Sequence, residues 1–374
     1  MHKHALLNGG IYYDMKKILV INTIGFSYEG ITNVAMNYIE NMNRCDMEFV
    51  FCVFNNKKNN IMDRLKKYGS VVEIPPRKSV FDYMVSLYKL MKKNNFDVVH
   101  IHGNSGTMVI ETTLCKINKI NKIIIHCHST KTDHPIINSL FKRMAIRHAD
   151  MCLACSGEAG DFLYGKKKYF ILNNAVKLEN FEYNEEIRRQ YRRQLGINEE
   201  IILGHVGHAT KVKNQKFLID VFKEYYKINS KSKLLIISDG PLLDDIKEKV
   251  KLLNLQDNVI FVRNRSDVEC LYQAMDVFIF PSLWEGLGLV AIEAQISGLP
   301  VLASSNVPAA AGCTDRFYSM DLELGEKKWA EKIEYILSEG KKRSILNEKE
   351  KMSIRDKGYD IKIEAEKLEH IYRE

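Results

Sequence analysis

Glu285 and Glu293, with seven residues between them, are carboxylates in a segment that could bind hydroxyl and phosphate groups. The segment 276–294 that carries them has the pattern of a buried strand, a loop with two glycines, and a helix beginning near Gly288. Carboxylates accept hydrogen bonds from the vicinal hydroxyls of sugars and ribose. A helix start presents N–H groups to a diphosphate, and Gly286 and Gly288 let the backbone approach it. A pair of glutamates is often only solvated, so the surrounding residues decide whether this pair is functional.

A second segment, 204–214, adds positive charge after another apolar run. Lys213 is a cation that can make charge-assisted contacts to an anionic group, and protonated His208 would add a second, pH-dependent charge. Lys211 offers a substitute for His208. The sequence contains no Asp-x-Asp motif, the usual metal clamp for sugar nucleotides. We therefore expect a site without metal or other cofactor, in which cations and helix starts supply the positive charge that a diphosphate needs.

Polar residues also follow apolar runs in the amino-terminal half. His128 ends one such run, and His100 and His102 end the preceding one. Gly30 opens a helix after the first run. Ligands of open α/β sheets bind beyond the carboxyl ends of the strands, so these positions are functional candidates. A lone histidine is more often structural, and His100 and His102 remain undecided between the two roles.

Apolar runs alternate with helical patterns along most of the chain, which predicts βαβ units and parallel sheets. The predicted strands are 18–23, 49–54, 71–74, 98–102, 123–127, 151–154, 169–172, 201–206, 234–237, 259–262, 277–280 and 301–303. The alternation breaks at 173–184 and then restarts. We predict a tail over 1–14, Rossmann-like domains over 15–180 and 181–355, and a helix over 356–374 that packs back on the first domain.

The segment 276–294, with Gly298-Leu299-Pro300 beyond it, resembles the E-x7-E signature of retaining glycosyltransferases of family 4. The resemblance runs from Lys16 to the carboxyl terminus and is closest to transferases of bacterial capsular or exopolysaccharide assembly. It implies the GT-B fold, in which two Rossmann-like, doubly wound parallel-sheet domains face a central cleft. It also implies a retaining hexosyltransferase that uses a nucleotide-diphosphate sugar, with UDP as the expected nucleotide.

The resemblance implies roles for individual residues. Glu293 would bind the donor ribose, Glu285 and His128 would contact the transferred sugar as catalytic residues, and Lys213 would neutralise the diphosphate. The implied donor-binding residues are Gly30, His208, Lys213, Arg263, Asn264, Gly286, Leu287, Gly288, Leu289 and Glu293.

Several positions depart from the family pattern. His208 stands where arginine is usual, Glu29 replaces one of two paired glycines, and Ala309 replaces a customary glutamate. Arg263 and Asn264 replace a glycine near the base pocket. Two alternatives therefore remain open, a degenerate transferase that serves as a partner subunit and a sugar-nucleotide epimerase.

The formal charge of +8 is concentrated in the first half, where residues 1–180 carry 25 Lys and Arg against 15 Asp and Glu. Basic patches at 83–93 and 140–148 interleave apolar and cationic residues, which is typical of a surface resting on anionic lipid. In the rival interpretation Tyr83, Leu87, Met91 and Phe141 face the core. We expect partners to be the donor, a glycan or lipid-linked glycan acceptor and an anionic membrane, and no nucleic acid.

No apolar run approaches the ~18 residues that span a bilayer, and no export signal is evident. We therefore expect a cytoplasmic protein that is peripheral at the inner face of the plasma membrane.

Overall fold

The computed structural model describes residues 4–6, 12–26, 30–54, 61–263, 265, 267–338 and 343–374. Contacts within the chain divide it into two compact units. One unit comprises Met1–Ala175 with Gly358–Glu374, and the other comprises Val176–Lys357. None of the helices described is long and apolar enough to cross a membrane.

The strands are β1 (His4–Leu6), β2 (Tyr12–Asp14), β3 (Lys16–Asn22), β4 (Met47–Val53), β5 (Ser70–Glu73), β6 (Val98–Gly103), β7 (Lys122–Cys127), β8 (Met151–Ala154), β9 (Phe170–Ile171), β10 (Ile201–Val206), β11 (Ser232–Ile237), β12 (Val259–Val262), β13 (Val277–Phe280), β14 (Val301–Ser304) and β15 (Phe317–Met320).

The α-helices are α1 (Gly30–Asn41), α2 (Ile61–Tyr68), α3 (Val80–Asn94), α4 (Val109–Ile117), α5 (Pro135–His148), α6 (Gly157–Tyr164), α7 (Leu178–Phe181), α8 (Glu185–Gln194), α9 (Gln215–Ile228), α10 (Leu243–Leu252), α11 (Val268–Ala274), α12 (Leu289–Ile296), α13 (Gly325–Ser338), α14 (Glu348–Asp356) and α15 (Ile361–Arg373). Short 3-10 helices span Gly106–Met108, Lys211–Lys213, Ala309–Ala311 and Leu322–Leu324.

Each unit contains one main parallel sheet. The first sheet has the order β5-β4-β3-β6-β7-β8-β9, and the second has the order β12-β11-β10-β13-β14-β15. Counted along the chain, both begin with the Rossmann order 3-2-1-4-5-6. The order reverses between β3 and β6 in one unit and between β10 and β13 in the other. The predicted α/β class with two Rossmann-like, doubly wound sheets is confirmed.

Apolar residues on both faces hold the first sheet in place. In β3, Leu19 and Ile21 pack in the cluster that contains Tyr83 of α3, whereas Ile18 joins the cluster that contains Tyr372 of α15. Successive strand residues point to opposite faces, so one apolar run can serve two helix layers. This is why near-continuous apolar runs were a reliable signal for buried parallel strands.

The carboxyl-terminal helix α15 belongs to the first unit, although the second unit precedes it in the chain. It contacts α1, buries Ile361, Leu368 and Tyr372, and pairs Arg373 Nε with Asp46 Oδ2 at 2.8 Å. The change of unit falls between Ala175 and Val176.

Three strands were not predicted. Residues 4–6 and 12–14 pair as an antiparallel hairpin within the segment that we expected to be a tail. The third unpredicted strand, β15, forms an edge of the second sheet and is only partly buried. Short strands with little apolar surface leave no long apolar run to detect.

The first of the two membrane patches predicted from the sequence is wrong. Tyr83, Leu87 and Met91 are at most 1% exposed and pack in the core cluster on one face of the first sheet. Their spacing is that of a core-facing stripe, and a core stripe flanked by lysines has the same sequence pattern as a membrane-binding helix.

Candidate functional site

The loops that follow β10 and β13 meet at the point where the second sheet reverses its order. The backbone N–H of Leu283 donates to the carbonyl of Val212 at 2.8 Å, which ties the two loops together. Asn214 adopts a left-handed conformation, φ 53°, at the start of α9. The carboxyl edge at such a reversal is where open α/β sheets bind ligands.

Lys213 and Glu285 are in direct contact at this point. Lys213 Nζ donates to Glu285 Oε1 at 2.6 Å, and both side chains are mostly buried. The same ammonium group lies 5.1 Å from the centroid of the Phe280 ring. The structure therefore brings together two residues that were predicted separately, and a phosphate approaching Lys213 would compete with Glu285 for its charge.

The loop before α12 contains Gly286 and Gly288, the two glycines predicted to admit a phosphate. Gly288 caps the helix with φ 85°, and a Cβ there would lie 3.0 Å from Phe280 Cε1 and 3.3 Å from Val307 Cγ1. Gly286 is exposed, and a Cβ there would meet nothing within 4 Å. Leu287 and Leu289 are partly buried beside them. The first turn of α12 thus directs its N–H groups toward this loop.

Glu293 lies inside α12, and its carboxyl group is paired with a tyrosine. Tyr272 Oη donates to Glu293 Oε2 at 2.9 Å. Burial raises the pKa of Glu293 to about 7, and the Tyr272 hydrogen bond opposes that rise only in part. Glu293 can therefore change charge near neutral pH. Tyr272, on α11, thus contacts a predicted site residue, and no sequence pattern had indicated it.

His208 and Arg263 follow β10 and β12 at the same edge of the sheet. His208 is exposed, and its ring lies beside Gly240, whose Cβ position is 3.0 Å from His208 Cε1. Arg263 is half exposed, and its guanidinium lies 3.6 Å from Asp244 Oδ1 at the start of α10. Asn264, the remaining predicted donor residue of this unit, lies outside the described residues.

In the first unit, Gly30 begins α1 and is exposed, with nothing within 4 Å of its Cβ position. No neighbour among the described residues therefore requires a glycine there. Glu29, which precedes it, lies outside the described residues.

His128 follows β7 and is held by His102 of β6 and by Asn104, which follows that strand. Its backbone N–H donates to Asn104 Oδ1 at 3.0 Å, and its Nε2 shares a hydrogen bond with His102 Nδ1 at 2.9 Å. Its Nδ1 is buried and has no hydrogen-bond partner among the described residues. Burial lowers the pKa of His128, and it lowers that of His102 to about 3, so both rings are neutral at pH 7.

His128 belongs to a cluster of four imidazoles on one face of the first sheet. His100 stacks on His102 and His126, and its Nδ1 shares a 2.6 Å hydrogen bond with Tyr372 Oη. His126 has no partner for either ring nitrogen among the described residues. Burial lowers the pKa of both histidines. The cluster follows from register, because His102 lies opposite His126 and alternate residues share a face.

Ring nitrogens of His100, His102 and His126 lie within 4.8 Å of one another, the spacing of a possible transition-metal site. Their ring planes are within 34° of one another, and His100 stacks on both other rings. Lone pairs of imidazole lie in the ring plane, so stacked rings do not aim them at a common point. These side chains would have to turn before they could hold a metal.

Sequence comparison finds related families for both halves of the chain. The family model described as Glycosyltransferase Family 4 matches residues 28–179. The family model described as Glycosyl transferases group 1 matches residues 187–352.

Three relatives show the range of similarity. EpsF of Bacillus subtilis (strain 168) is 27% identical over 96% of this chain and 97% of its own length. The UDP-Gal:alpha-D-GlcNAc-diphosphoundecaprenol alpha-1,3-galactosyltransferase of Escherichia coli is 27% identical over 59% of this chain and 61% of its own. The capsular polysaccharide biosynthesis glycosyltransferase CapM of Staphylococcus aureus is 30% identical over 54% and 53%, respectively.

A solved structure of the same fold is that of Anabaena Alr3699/HepE in complex with UDP and glucose. It superposes with a TM-score of 0.76 at 15% identity and covers 96% of this chain and 99% of that protein. At this identity the likeness concerns the fold.

Proposed function

Because the chain is a glycosyltransferase of the group 1, family 4 type, we propose that it transfers a hexose from a UDP-sugar with retention of configuration. The acceptor is a growing, lipid-linked glycan of a capsule or exopolysaccharide, reached at the inner face of the plasma membrane. The observation that carries this proposal is the contact of Lys213 with Glu285 beside the start of α12.

Residues of the second unit bind three parts of the donor: the ribose, the diphosphate and the base. Glu293 accepts hydrogen bonds from the ribose hydroxyls, and the N–H groups around Gly288 and Leu289 receive the diphosphate. Lys213 supplies positive charge to the phosphates, assisted by His208 when that side chain is protonated. Arg263 lies at the same edge and is assigned to the base end of the donor.

The ion pair of Lys213 and Glu285 suggests how the sugar is received. When the diphosphate takes up Lys213, Glu285 loses a partner and can accept a hydrogen bond from the transferred sugar. The sugar is thus held by a carboxylate that the phosphate itself releases. The name of the Escherichia coli relative, with a UDP-galactose donor and a diphosphoundecaprenol acceptor, supports the choice of substrates.

His128 retains its proposed contact with the transferred sugar. In the arrangement described, Nε2 is bonded to His102 and Nδ1 is buried. The imidazole must therefore turn to meet a substrate, and because it is neutral it acts as a polar contact and not as a charge.

The proposal is tested by thermal unfolding with a panel of UDP-, GDP- and ADP-sugars, since a ligand that binds only the folded state raises its stability. We expect stabilisation by UDP-sugars, and loss of it in Lys213→Ala. The control is Lys223→Ala, because Lys223 is an exposed lysine of the second unit, on α9, to which no role in the site is assigned. Equal loss in both variants, or no stabilisation by any donor, would contradict the proposed site.

We propose further that transfer needs no metal, because Lys213 and the start of α12 supply the stabilising charge. Activity should survive EDTA. Its loss in EDTA and recovery with Mg²⁺ or Mn²⁺ would overturn this part of the proposal. Incubation with the donor alone separates transfer from the epimerase alternative, since only an epimerase would change the sugar.

A further inference from the structure

Tyr272 on α11 places its hydroxyl group against Glu293, the residue assigned to the donor ribose. Tyr272 Oη lies 2.9 Å from Glu293 Oε2 and 3.2 Å from the carbonyl oxygen of Val290, three residues earlier in α12. A tyrosine hydroxyl carries one proton, and a carboxylate is a stronger acceptor than a peptide carbonyl. The hydroxyl group of Tyr272 therefore donates its hydrogen bond to Glu293.

The ring of Tyr272 cannot turn freely, because other aromatic side chains pack against it. Tyr272 and Phe278 of β13 are both fully buried, and their ring centroids lie 5.8 Å apart. The centroid of the Phe181 ring, on α7, lies 6.0 Å from that of Tyr272. Protein interiors are close-packed, so a rotation of Tyr272 would have to displace these rings. Packing therefore fixes the direction in which the hydroxyl group points.

The main chain of Tyr272 is held by Arg343. Arg343 Nη1 donates to the carbonyl of Tyr272 at 2.7 Å. It also donates to the carbonyls of Gln273 at 2.9 Å and Met275 at 2.6 Å. These carbonyls lie at the carboxyl end of α11, where a helix leaves its last acceptors without partners of its own. The position of Tyr272 is thus fixed through its backbone as well as through its ring.

A hydrogen bond to one oxygen leaves the rest of the Glu293 carboxyl group available. The two oxygens of a carboxylate offer about four acceptor positions, and Tyr272 occupies one of those on Oε2. The last torsion of a glutamate side chain is otherwise broadly distributed, so an anchored Oε2 also fixes where Oε1 points. Because this order exists before the donor arrives, the binding energy of the donor does not have to supply it.

The charges around Glu293 make the hydroxyl of Tyr272 more important. Desolvation raises the pKa of Glu293, the hydrogen bond from Tyr272 lowers it, and the charge of Glu269 on α11 raises it. Helix α12 also packs against α7, β13, β14 and the 3-10 helix Ala309–Ala311. Among these described elements only α7 contains a charged residue, Glu179. Tyr272 therefore opposes surroundings that favour the protonated form of Glu293.

We propose that Tyr272 is a positioning residue for donor binding, whose hydroxyl group holds the Glu293 carboxyl group in the orientation that meets the ribose and favours its ionised form. Tyr272 acts through Glu293 and does not itself touch the donor. The inference rests on the proposed function, because it is there that Glu293 is assigned to the ribose.

The test is the pH profile of UDP affinity in Tyr272→Phe, which removes the hydroxyl group and keeps the ring. UDP carries the ribose whatever the sugar is. Without the hydrogen bond, the pKa of Glu293 should rise by about one unit, the effect of losing a hydrogen bond to a charged group. Calorimetric titration should therefore show binding about fivefold weaker than that of wild type at pH 7 and within about twofold at pH 8.5. A purely structural role would weaken binding by the same factor at both pH values.

A second measurement needs no donor. The ionisation of Glu293 is followed by ¹³C NMR of protein labelled at the glutamate side-chain carboxyl groups, and the Glu293 signal is identified by its absence in Glu293→Gln. This signal should titrate near pH 7 in wild type, the pKa of about 7 that burial gives Glu293. In Tyr272→Phe it should titrate about one pH unit higher.

Tyr225→Phe is the matched control in the same unit. Tyr225 is 1% exposed and its Oη lies 3.2 Å from Glu334 Oε2, so this variant also loses a buried hydroxyl group that is bonded to a glutamate. It should leave UDP affinity and the pH profile unchanged. Thermal unfolding of both variants sets the temperature range in which binding is compared between folded proteins.

An unshifted titration of Glu293 in Tyr272→Phe, or a loss of UDP affinity that is the same at pH 7 and pH 8.5, would overturn the role of Tyr272. In the Glu293→Gln background, Tyr272→Phe should change UDP affinity less than twofold, since no carboxylate remains to be held, and a fully additive loss would also contradict the proposal. If Glu293→Gln binds UDP as wild type does while the NMR titration shifts as expected, the proposed function fails and the effect of Tyr272 on Glu293 stands.

Discussion

Burial changes the pKa of Glu293, and this change bears directly on its proposed contact with the donor ribose. Glu293 is half-buried and paired with Tyr272, and desolvation raises its pKa to about 7. In the absence of donor, the neutral and ionised forms are therefore both present at neutral pH. Ribose hydroxyls donate hydrogen bonds, so they favour the ionised form.

Donor affinity should consequently rise as the pH is raised through about 7. Glu293→Gln should weaken binding of a UDP-sugar by about 1–3 kcal/mol at pH 8, because the acceptor for two hydroxyls is compromised. The variant should also lose the rise with pH. Calorimetric titration from pH 6 to 8.5 measures both, and the difference between wild type and variant removes any contribution from His208. Unchanged affinity in Glu293→Gln would exclude Glu293 from the site.

The raised pKa of Glu293 also predicts how the stability of the ligand-free protein depends on pH. A carboxyl whose pKa is raised by folding stabilises the native state below its unfolded pKa, and this contribution is lost as the pH rises through about 7. Glu293→Gln should therefore gain up to about 3 kcal/mol relative to wild type at pH 8.5, and little at pH 5. Urea unfolding at the two pH values checks this. A constant difference would mean that the carboxyl is solvated.

Two members of the histidine cluster differ in hydrogen bonding: His102 is bonded to His128, whereas His126 has no partner among the described residues. His102→Leu leaves Nε2 of His128 without its partner in a buried site and should cost about 1–3 kcal/mol of unfolding free energy. His126→Leu is the matched control, because neither nitrogen of His126 has a partner among the described residues. It should be neutral or stabilising. The opposite ranking in urea unfolding would show that His126 is satisfied by water or a ligand.

At the scale of elements, the loop between β13 and α12 has two glycines in different structural environments. Gly288 needs its left-handed backbone and has Phe280 and Val307 against it, whereas Gly286 has neither restriction. Gly288→Ala should lower the unfolding free energy by about 1–3 kcal/mol through backbone strain and crowding.

Gly286→Ala should stay within about 0.5 kcal/mol of wild type. If Gly286 only allows close approach of phosphate, that variant should weaken UDP-sugar binding without loss of stability. Thermal unfolding with and without UDP-glucose distinguishes the two roles. Equal destabilisation by both substitutions would contradict the geometry of the loop.

At the scale of the whole molecule, the last helix completes a unit that begins at the other end of the chain. Leu368 of α15 is 3% exposed and packs in the core of the first unit, whereas Ile363 is 37% exposed on the same helix. Leu368→Asn should lower the stability of the first unit by about 2–5 kcal/mol, and Ile363→Asn should change it little.

UDP-sugar binding should survive Leu368→Asn, since the proposed donor residues lie in the second unit. Limited proteolysis locates the destabilised unit, and calorimetry follows donor binding. Loss of donor binding at temperatures where the second unit remains folded would show that the two units depend on each other for that site.

The sequence by itself determined the class of the fold and the strands of both main sheets except β15. Parallel strands covered on both faces need near-continuous apolar runs, and runs such as 123–127 and 277–280 indicate buried strands because they alternate with helical segments. It also determined the segment around Glu285 and Glu293, because a strand, a glycine loop and a helix start are all local patterns. The resemblance to family 4 glycosyltransferases followed from that segment, and glycosyltransferase family models match residues 28–179 and 187–352.

Only the tertiary structure decided which side chains meet. Lys213 pairs with Glu285, Tyr272 with Glu293, and His102 with His128 because neighbouring strands and helices bring distant residues together. The tertiary structure also decided whether the apolar side chains of two similar basic helices, α3 and α5, lie in the core or on the surface. The apolar stripe of α3 faces the sheet, whereas α5 turns Asn138, Ala145 and Ile146 inward and leaves five other large apolar side chains exposed. Periodicity shows that a helix has an apolar face, but packing determines what that face contacts.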